Sequence, residues 1–102
     1  MAIKDYDRAW KLIESVGWCQ GKYRKDASGK LCSEPEAACS FCILGALIAV
    51  YGEGEKYRLK MYNIRNRLIE KTDRVLIGIA EWNDDKKRTK EEVVAVLKEL
   101  DI

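Results

Sequence analysis

Histidine is absent from this 102-residue chain. Its absence removes the commonest general base and the commonest metal ligand, and it excludes Ser-His-Asp and Cys-His-Asn machinery outright. A membrane-length apolar run is lacking as well. The longest, Phe41–Tyr51, has eleven residues and as a helix reaches about 16 Å, against about 30 Å of bilayer hydrocarbon. Met1–Lys11 is charged and amphipathic, with no apolar h-region, so no signal peptide is expected and a cytoplasmic location is. Nor is there an excess of one charge. Nineteen basic and seventeen acidic residues leave +2, which predicts no general attraction to nucleic acid or anionic membrane. Internal repeats, low-complexity tracts and linkers are missing too.

What is present is globular composition: 47% hydrophobic and 35% charged residues, enough for one domain over residues 1–102 with a core that needs no staples. At about 100° per residue, Ile3, Tyr6, Ala9, Trp10, Leu12, Ile13 and Val16 fall on one half of a helix. Asp7, Arg8, Lys11, Glu14 and Ser15 fall on the other half, and Gly17 ends the helix as a left-handed cap. Trp18–Glu36 has no helical period; Asp26–Gly29 reads as a tight turn, with Tyr23 and Leu31 facing each other in a short hairpin. Ser33 and Glu36 have capping-box spacing, and Pro35 suits a first turn. The all-apolar Phe41–Tyr51 is expected to be the central buried helix, with Gly45 allowing close approach of a neighbouring helix. Tyr57, Met61, Ile64 and Leu68 form the seam of a helix from Glu55 to about Lys71. Val75–Trp82 is short and apolar and is taken as helical. Thr89 with Glu92 caps a last helix whose seam is Val93, Val96, Leu97 and Leu100. The expected fold is mainly α: four or five packed helices with a small β-hairpin or loop insertion after the first.

Three constellations can carry chemistry. Cys19, Cys32, Cys39 and Cys42 supply four thiols, enough for a tetrahedral zinc. Only Cys39 and Cys42 form a tight pair, however, and cysteine is also a common core residue, so packing is the stronger reading and no cofactor is required. Cys42 lies at or near a helix N-terminus, where a dipole lowers a thiol pKa; Gln20 can serve an oxyanion and Asn83 can orient a base, but no histidine base exists. Trp82-Asn83-Asp84-Asp85 offers paired carboxylates. Its structural reading has Trp82 in the core, Asn83 in a left-handed helix end and Asp84 on nearby amides. Finally, Lys60, Arg67, Lys71 and Arg74 lie within about 60° of one another on a helix, with Arg58 and Arg65 at the other edge of the seam. Such a helix can grip phosphates, but it lies only about 80° from the apolar seam, where basic side chains usually snorkel.

Gly17-Trp18-Cys19-Gln20-Gly21, Cys42-Ile43-Leu44-Gly45-Ala46-Leu47 and Trp82-Asn83-Asp84 stand one after another in that order. These W-x-Q-G, C-x-L-G-A and W-N-D motifs resemble an uncharacterised domain-of-unknown-function family of small bacterial and phage proteins. The resemblance runs from about Trp10 to Leu100. It implies no activity. It implies that the three motifs meet around one cleft with Gln20, Asn83 and Asp84 as its polar groups, and that Cys42 fits the pattern better than Cys19 or Cys32. The candidate binding residues are therefore Trp18, Gln20, Cys42, Asn83 and Asp84. The expected function is binding to a protein partner, in one form as a phage-encoded inhibitor of a host defence protein. A small-molecule or catalytic site at Gln20, Cys42, Asn83 and Asp84, and nucleic-acid binding through the Lys60–Arg74 helix, are the alternatives.

Overall fold

Among the described residues the segments read as helical give five α-helices, and the aperiodic stretch after the first gives a small antiparallel hairpin with long loops. The computed structural model describes residues 5–102; Ile3, placed by periodicity on the first apolar face, lies outside them. In chain order the elements are α1 (Ala9–Val16), β1 (Arg24–Lys25), a 3₁₀ turn at Pro35–Ala37, β2 (Ser40–Phe41), α2 (Ile43–Tyr51), α3 (Glu55–Thr72), α4 (Ile79–Asn83) and α5 (Lys90–Glu99).

Helix α1 buries Ala9, Leu12 and Ile13, while Lys11 reaches Asp7 at 2.9 Å on the outer face. Gly17 ends it, but not in the left-handed helical conformation. Its φ and ψ of 149° and 161° belong to a region essentially reserved for glycine, and a Cβ there would stand 2.6 Å from the Cys39 carbonyl oxygen. The glycine is needed so that the chain can pass closely under Cys39 and Ser40.

The turn forms as composition anticipates. Asp26 Oδ1 accepts from the Ser28 and Lys30 amides and from the Ser28 hydroxyl. Its flanks pair differently from expectation. Leu31 bridges Lys25 rather than Tyr23, and the ladder partner of β1 is β2, with Arg24 opposite Phe41 and Lys25 opposite Ser40. Phe41 also bridges Trp18 on its other side. This pairing holds Ser40 and Phe41 extended, so α2 starts at Ile43 instead of Phe41. Ser33 caps nothing: Glu34 precedes the three-residue 3₁₀ turn and makes no side-chain cap. The cap of α2 is Cys42, whose Sγ accepts from the Gly45 amide at 3.3 Å.

Helix α2 packs against α1, α3 and α4, which makes it central as its apolar sequence requires. Gly45 does permit a close approach, but of the loop and not of a helix: an added Cβ would overlap the Tyr23 carbonyl. Helix α3 buries Ile64 and Leu68, with Tyr57 and Met61 half-buried beside them. Val75 and Leu76 stay exposed and precede α4, where Ile79 and Trp82 are buried; they are connector, not helix. The Thr89–Glu92 box closes reciprocally, at 3.2 Å and 3.0 Å, and α5 buries Val93, Val96 and Leu97 against α1 and α3. Among the described residues no helix is long and apolar enough to cross a membrane.

Candidate functional site

The three motifs meet at one side chain. Asn83, the last residue of α4, is 1% exposed. Its Oδ1 accepts from Trp18 Nε1 at 2.9 Å and from the Ile43 amide at 3.1 Å. Its Nδ2 donates to the Cys19 carbonyl at 3.1 Å and to Asp84 Oδ1 at 2.9 Å. A side-chain amide offers two donors and an acceptor with two lone pairs, and here all are taken. Asn83 is thus not the left-handed helix end expected of it; among the described residues the non-glycine positions with positive φ are Asp73 and Asp101.

Around this amide the remaining polar groups satisfy one another. Gln20 Nε2 donates to the Asn83 and Asp85 carbonyls at 3.0 Å and 2.8 Å. Asp84 Oδ1 accepts from the Gly21 amide at 3.0 Å, so this carboxylate serves the distant loop and the Asn83 side chain and not the backbone amides next to it. Beneath, Trp82 is 2% exposed. The Arg88 guanidinium lies 3.8 Å from its ring centroid, and Arg88 Nε donates to the Trp82 carbonyl at 2.9 Å. The structure therefore brings Trp18, Gln20, Asn83 and Asp84 together with the start of α2, as a bolt between loop, α2 and α4.

Cys42 sits beside this bolt and is buried. Burial pushes its thiol up to about 11, only partly opposed by the Gly45 amide. The helix-start placement anticipated in the sequence is there, but the dipole is outweighed by desolvation, the reverse of what a thiolate nucleophile needs. Burial raises the Cys19 thiol as well. Cys32 Sγ donates to the Glu34 carbonyl at 3.0 Å, and Cys39 is exposed. Among the described residues no three His, Cys, Asp or Glu side chains are placed to share a metal ion, so Cys19, Cys32, Cys39 and Cys42 do not assemble the zinc set their number suggests.

Arg74 falls outside the basic helix, because Asp73 turns left-handed and ends α3 at Thr72, and the basic side chains are largely committed to the fold. Lys60 Nζ lies 5.2 Å from the Tyr51 ring centroid, Arg67 holds Glu99 at 2.6 Å and Arg74 holds Glu81 at 3.1 Å. Lys71 is exposed.

The open surface is charged on one side of the bolt, where Arg74, Glu81, Asp85, Lys86 and Lys87 line a cleft of about 630 Å³, and largely apolar on the other. A cleft of about 360 Å³ beside the bolt is lined by Gly21, Lys22, Tyr23, Leu31, Cys42, Leu44, Ala80 and Asp84. A second, of about 580 Å³, adjoins it through Leu44 and Ala80 and continues over Met61, Tyr62, Leu76 and Ile79. Tyr23, Leu31, Tyr62 and Leu76 are each more than half exposed, Leu76 at 82%. The sequence carries little sign of this surface. Tyr62 lies off the α3 seam, and Leu76 sits in an apolar run whose neighbours Ile77 and Ile79 are buried, so its pattern reads as core.

No curated protein and no solved structure matches the chain. A family model matches residues 2–100, and by that match the chain belongs to a family of unknown function, DUF6197.

Proposed function

We propose that this chain acts by binding a protein partner in the cytoplasm, and that catalysis is not its role. The observation that carries the reading is the continuous apolar surface formed by Tyr23, Leu31, Leu44, Tyr62, Leu76 and Ala80. Contiguous exposed apolar surface on a small domain marks an interaction site. The polar groups of the alternative small-molecule or catalytic site support the same reading from the other side. Gln20 and Asn83 spend their hydrogen bonds on each other's surroundings, and the Cys42 thiol is held protonated by burial. Nucleic-acid binding through Lys60, Arg67, Lys71 and Arg74 is disfavoured by the carboxylates and ring that occupy three of the four. The specific form we carry, from the resemblance to phage proteins, is an inhibitor of a host protein.

A tagged pull-down with mass spectrometry tests this. The wild-type chain is expected to retain one host protein in stoichiometric amount, and a Tyr62→Glu/Leu76→Glu variant with unchanged melting is expected to lose it. Recovery of the bait alone from several host lysates would sink the reading.

A further inference from the structure

The two clefts adjoin at Leu44 and Ala80, which line both, and together make one furrow. One wall is α3, which lines it with Arg58, Met61, Tyr62 and Arg65. These residues recur at i, i+3, i+4 and i+7, the spacing of a single helix face. At 1.5 Å per residue, Arg58 and Arg65 stand about 10 Å apart along that wall.

These two arginines are exceptional in this molecule. Of its seven arginines, Arg8, Arg67, Arg74 and Arg88 each hold a carboxylate, and Arg24 holds the Ser33 carbonyl. Arg58 and Arg65 are exposed and, among the described residues, neither guanidinium holds an ion pair or a hydrogen bond. Both uncommitted guanidiniums thus border the apolar furrow at its α3 end, while the other end carries Lys22 together with Asp84 and adds no net charge. An occupant must bring apolar side chains for the floor and negative charge for the rim. A second copy of the chain docked through the same face would set four guanidiniums against one another, a like-charge arrangement that costs affinity. Single-stranded nucleic acid would bring the charge and can stack on Tyr23 and Tyr62, but the surface between those two rings, Leu44, Met61, Leu76, Ile79 and Ala80, is aliphatic and suits apolar side chains better than bases.

We infer that the furrow seats an acidic amphipathic segment of the partner protein, its apolar side chains on Leu44, Tyr62, Leu76 and Ala80 and its carboxylates on Arg58 and Arg65. The inference rests on the proposed protein-binding function and gives it a ligand class. The binding mode is a helix in a groove, with anchors at i, i+3, i+4 and i+7 and acidic flanks.

A displayed library of random 16-residue peptides, selected against the folded chain, supplies the probe. Enriched peptides are expected to combine Leu, Phe or Trp at helical spacing with net negative charge. A synthetic copy of the strongest should lose about tenfold in affinity against Arg58→Glu/Arg65→Glu, and its binding should weaken with salt. Amide chemical-shift changes should centre on Leu44, Tyr62, Leu76 and Ala80. Both arginines are exposed, so this variant should melt with the wild type. Enrichment of neutral or basic peptides, no enrichment, or unchanged affinity in the charge-reversed variant would each overturn the inference. So would self-association in sedimentation that Tyr62→Glu abolishes, or salt-dependent binding of a 12-nucleotide single strand that Arg58→Glu/Arg65→Glu abolishes. The outcomes separate cleanly from the broader reading. A host partner lost by Tyr62→Glu/Leu76→Glu but kept by Arg58→Glu/Arg65→Glu leaves protein binding standing and removes the acidic segment.

Discussion

At the scale of the residue, Asn83 does more for this fold than any charged group. Its four hydrogen bonds tie Trp18, Cys19, Ile43 and Asp84 to one buried amide. Asn83→Ala leaves the Ile43 amide, the indole N–H and the Cys19 carbonyl without partners, each a loss of about 1–3 kcal/mol when buried. We expect a net loss of about 3–5 kcal/mol by urea denaturation; a loss under about 1 kcal/mol would show that the amide only decorates the junction. Cys42 provides the pH signature. Burial raises its thiol from an ordinary 9.0 to about 11 in the folded chain. The stability this thiol contributes is therefore fully present below pH 9 and is lost as pH rises toward 11, because the unfolded chain gives up the proton first. Urea midpoints between pH 8 and 11 should fall more steeply for wild type than for Cys42→Ala. Equal slopes would remove the effect. Trp18, Gln20, Asn83 and Asp84 can be singled out in the sequence because they belong to the W-x-Q-G and W-N-D motifs. Their bonds cannot be read there, since Trp18 and Asn83 lie 65 residues apart and no local period carries such a pairing.

Elements are where local signals and long-range pairing compete. The Thr89–Glu92 box and the seams of α3 and α5 are satisfied within a few residues, so the sequence displays them directly. The Ser33–Glu36 spacing is equally good, yet no cap forms there, because β1 draws Ser40 and Phe41 into a ladder and leaves Pro35–Ala37 only a single turn. Val75 and Leu76 fail for a related reason: an apolar pair looks the same whether it enters the core or stays exposed. Thr89→Ala should cost about 1 kcal/mol, read as a lowered melting temperature, through loss of the cap. Gly45→Ala sets two effects against each other. Helix propensity favours alanine by about 1 kcal/mol, but the new Cβ overlaps the Tyr23 carbonyl. That oxygen belongs to the main chain, and the adjoining backbone is pinned: the Cys42 amide donates to the same carbonyl. Overpacking of this kind costs about 1–3 kcal/mol or more, so the variant should be destabilised, with backbone amide shifts moving along residues 21–25. A stabilised Gly45→Ala would mean that the loop yields freely.

For the whole molecule, the decisive contact lies past the last periodic signal. The sequence marks α5 as ending its seam at Leu100, and nothing in the periodicity speaks for Asp101 or Ile102. In the structure Asp101 takes a left-handed turn, which carries Ile102 inward until it is 1% exposed. The Ile102 amide donates to the Leu97 carbonyl, while its own carbonyl accepts from the Ala9 amide and, at 2.8 Å, from the Tyr51 hydroxyl. One residue thus joins the start of α1, the end of α2 and the end of α5. Beside it Arg8 pairs with Asp101 at 3.1 Å on the surface, where solvent screening leaves such a pair little net stability. The apolar contribution should dominate by a wide margin. Ile102→Ala empties a fully packed site and should cost about 2–4 kcal/mol, whereas Asp101→Asn keeps the side-chain volume and the turn, and should leave the urea midpoint nearly unchanged. Because Ile102 binds three helices at once, its loss should lower a single transition seen alike by tryptophan fluorescence and far-ultraviolet dichroism. Separation of the two curves in Ile102→Ala would show instead that α5 can leave while α1 and α2 stay packed, and that the molecule is held together elsewhere.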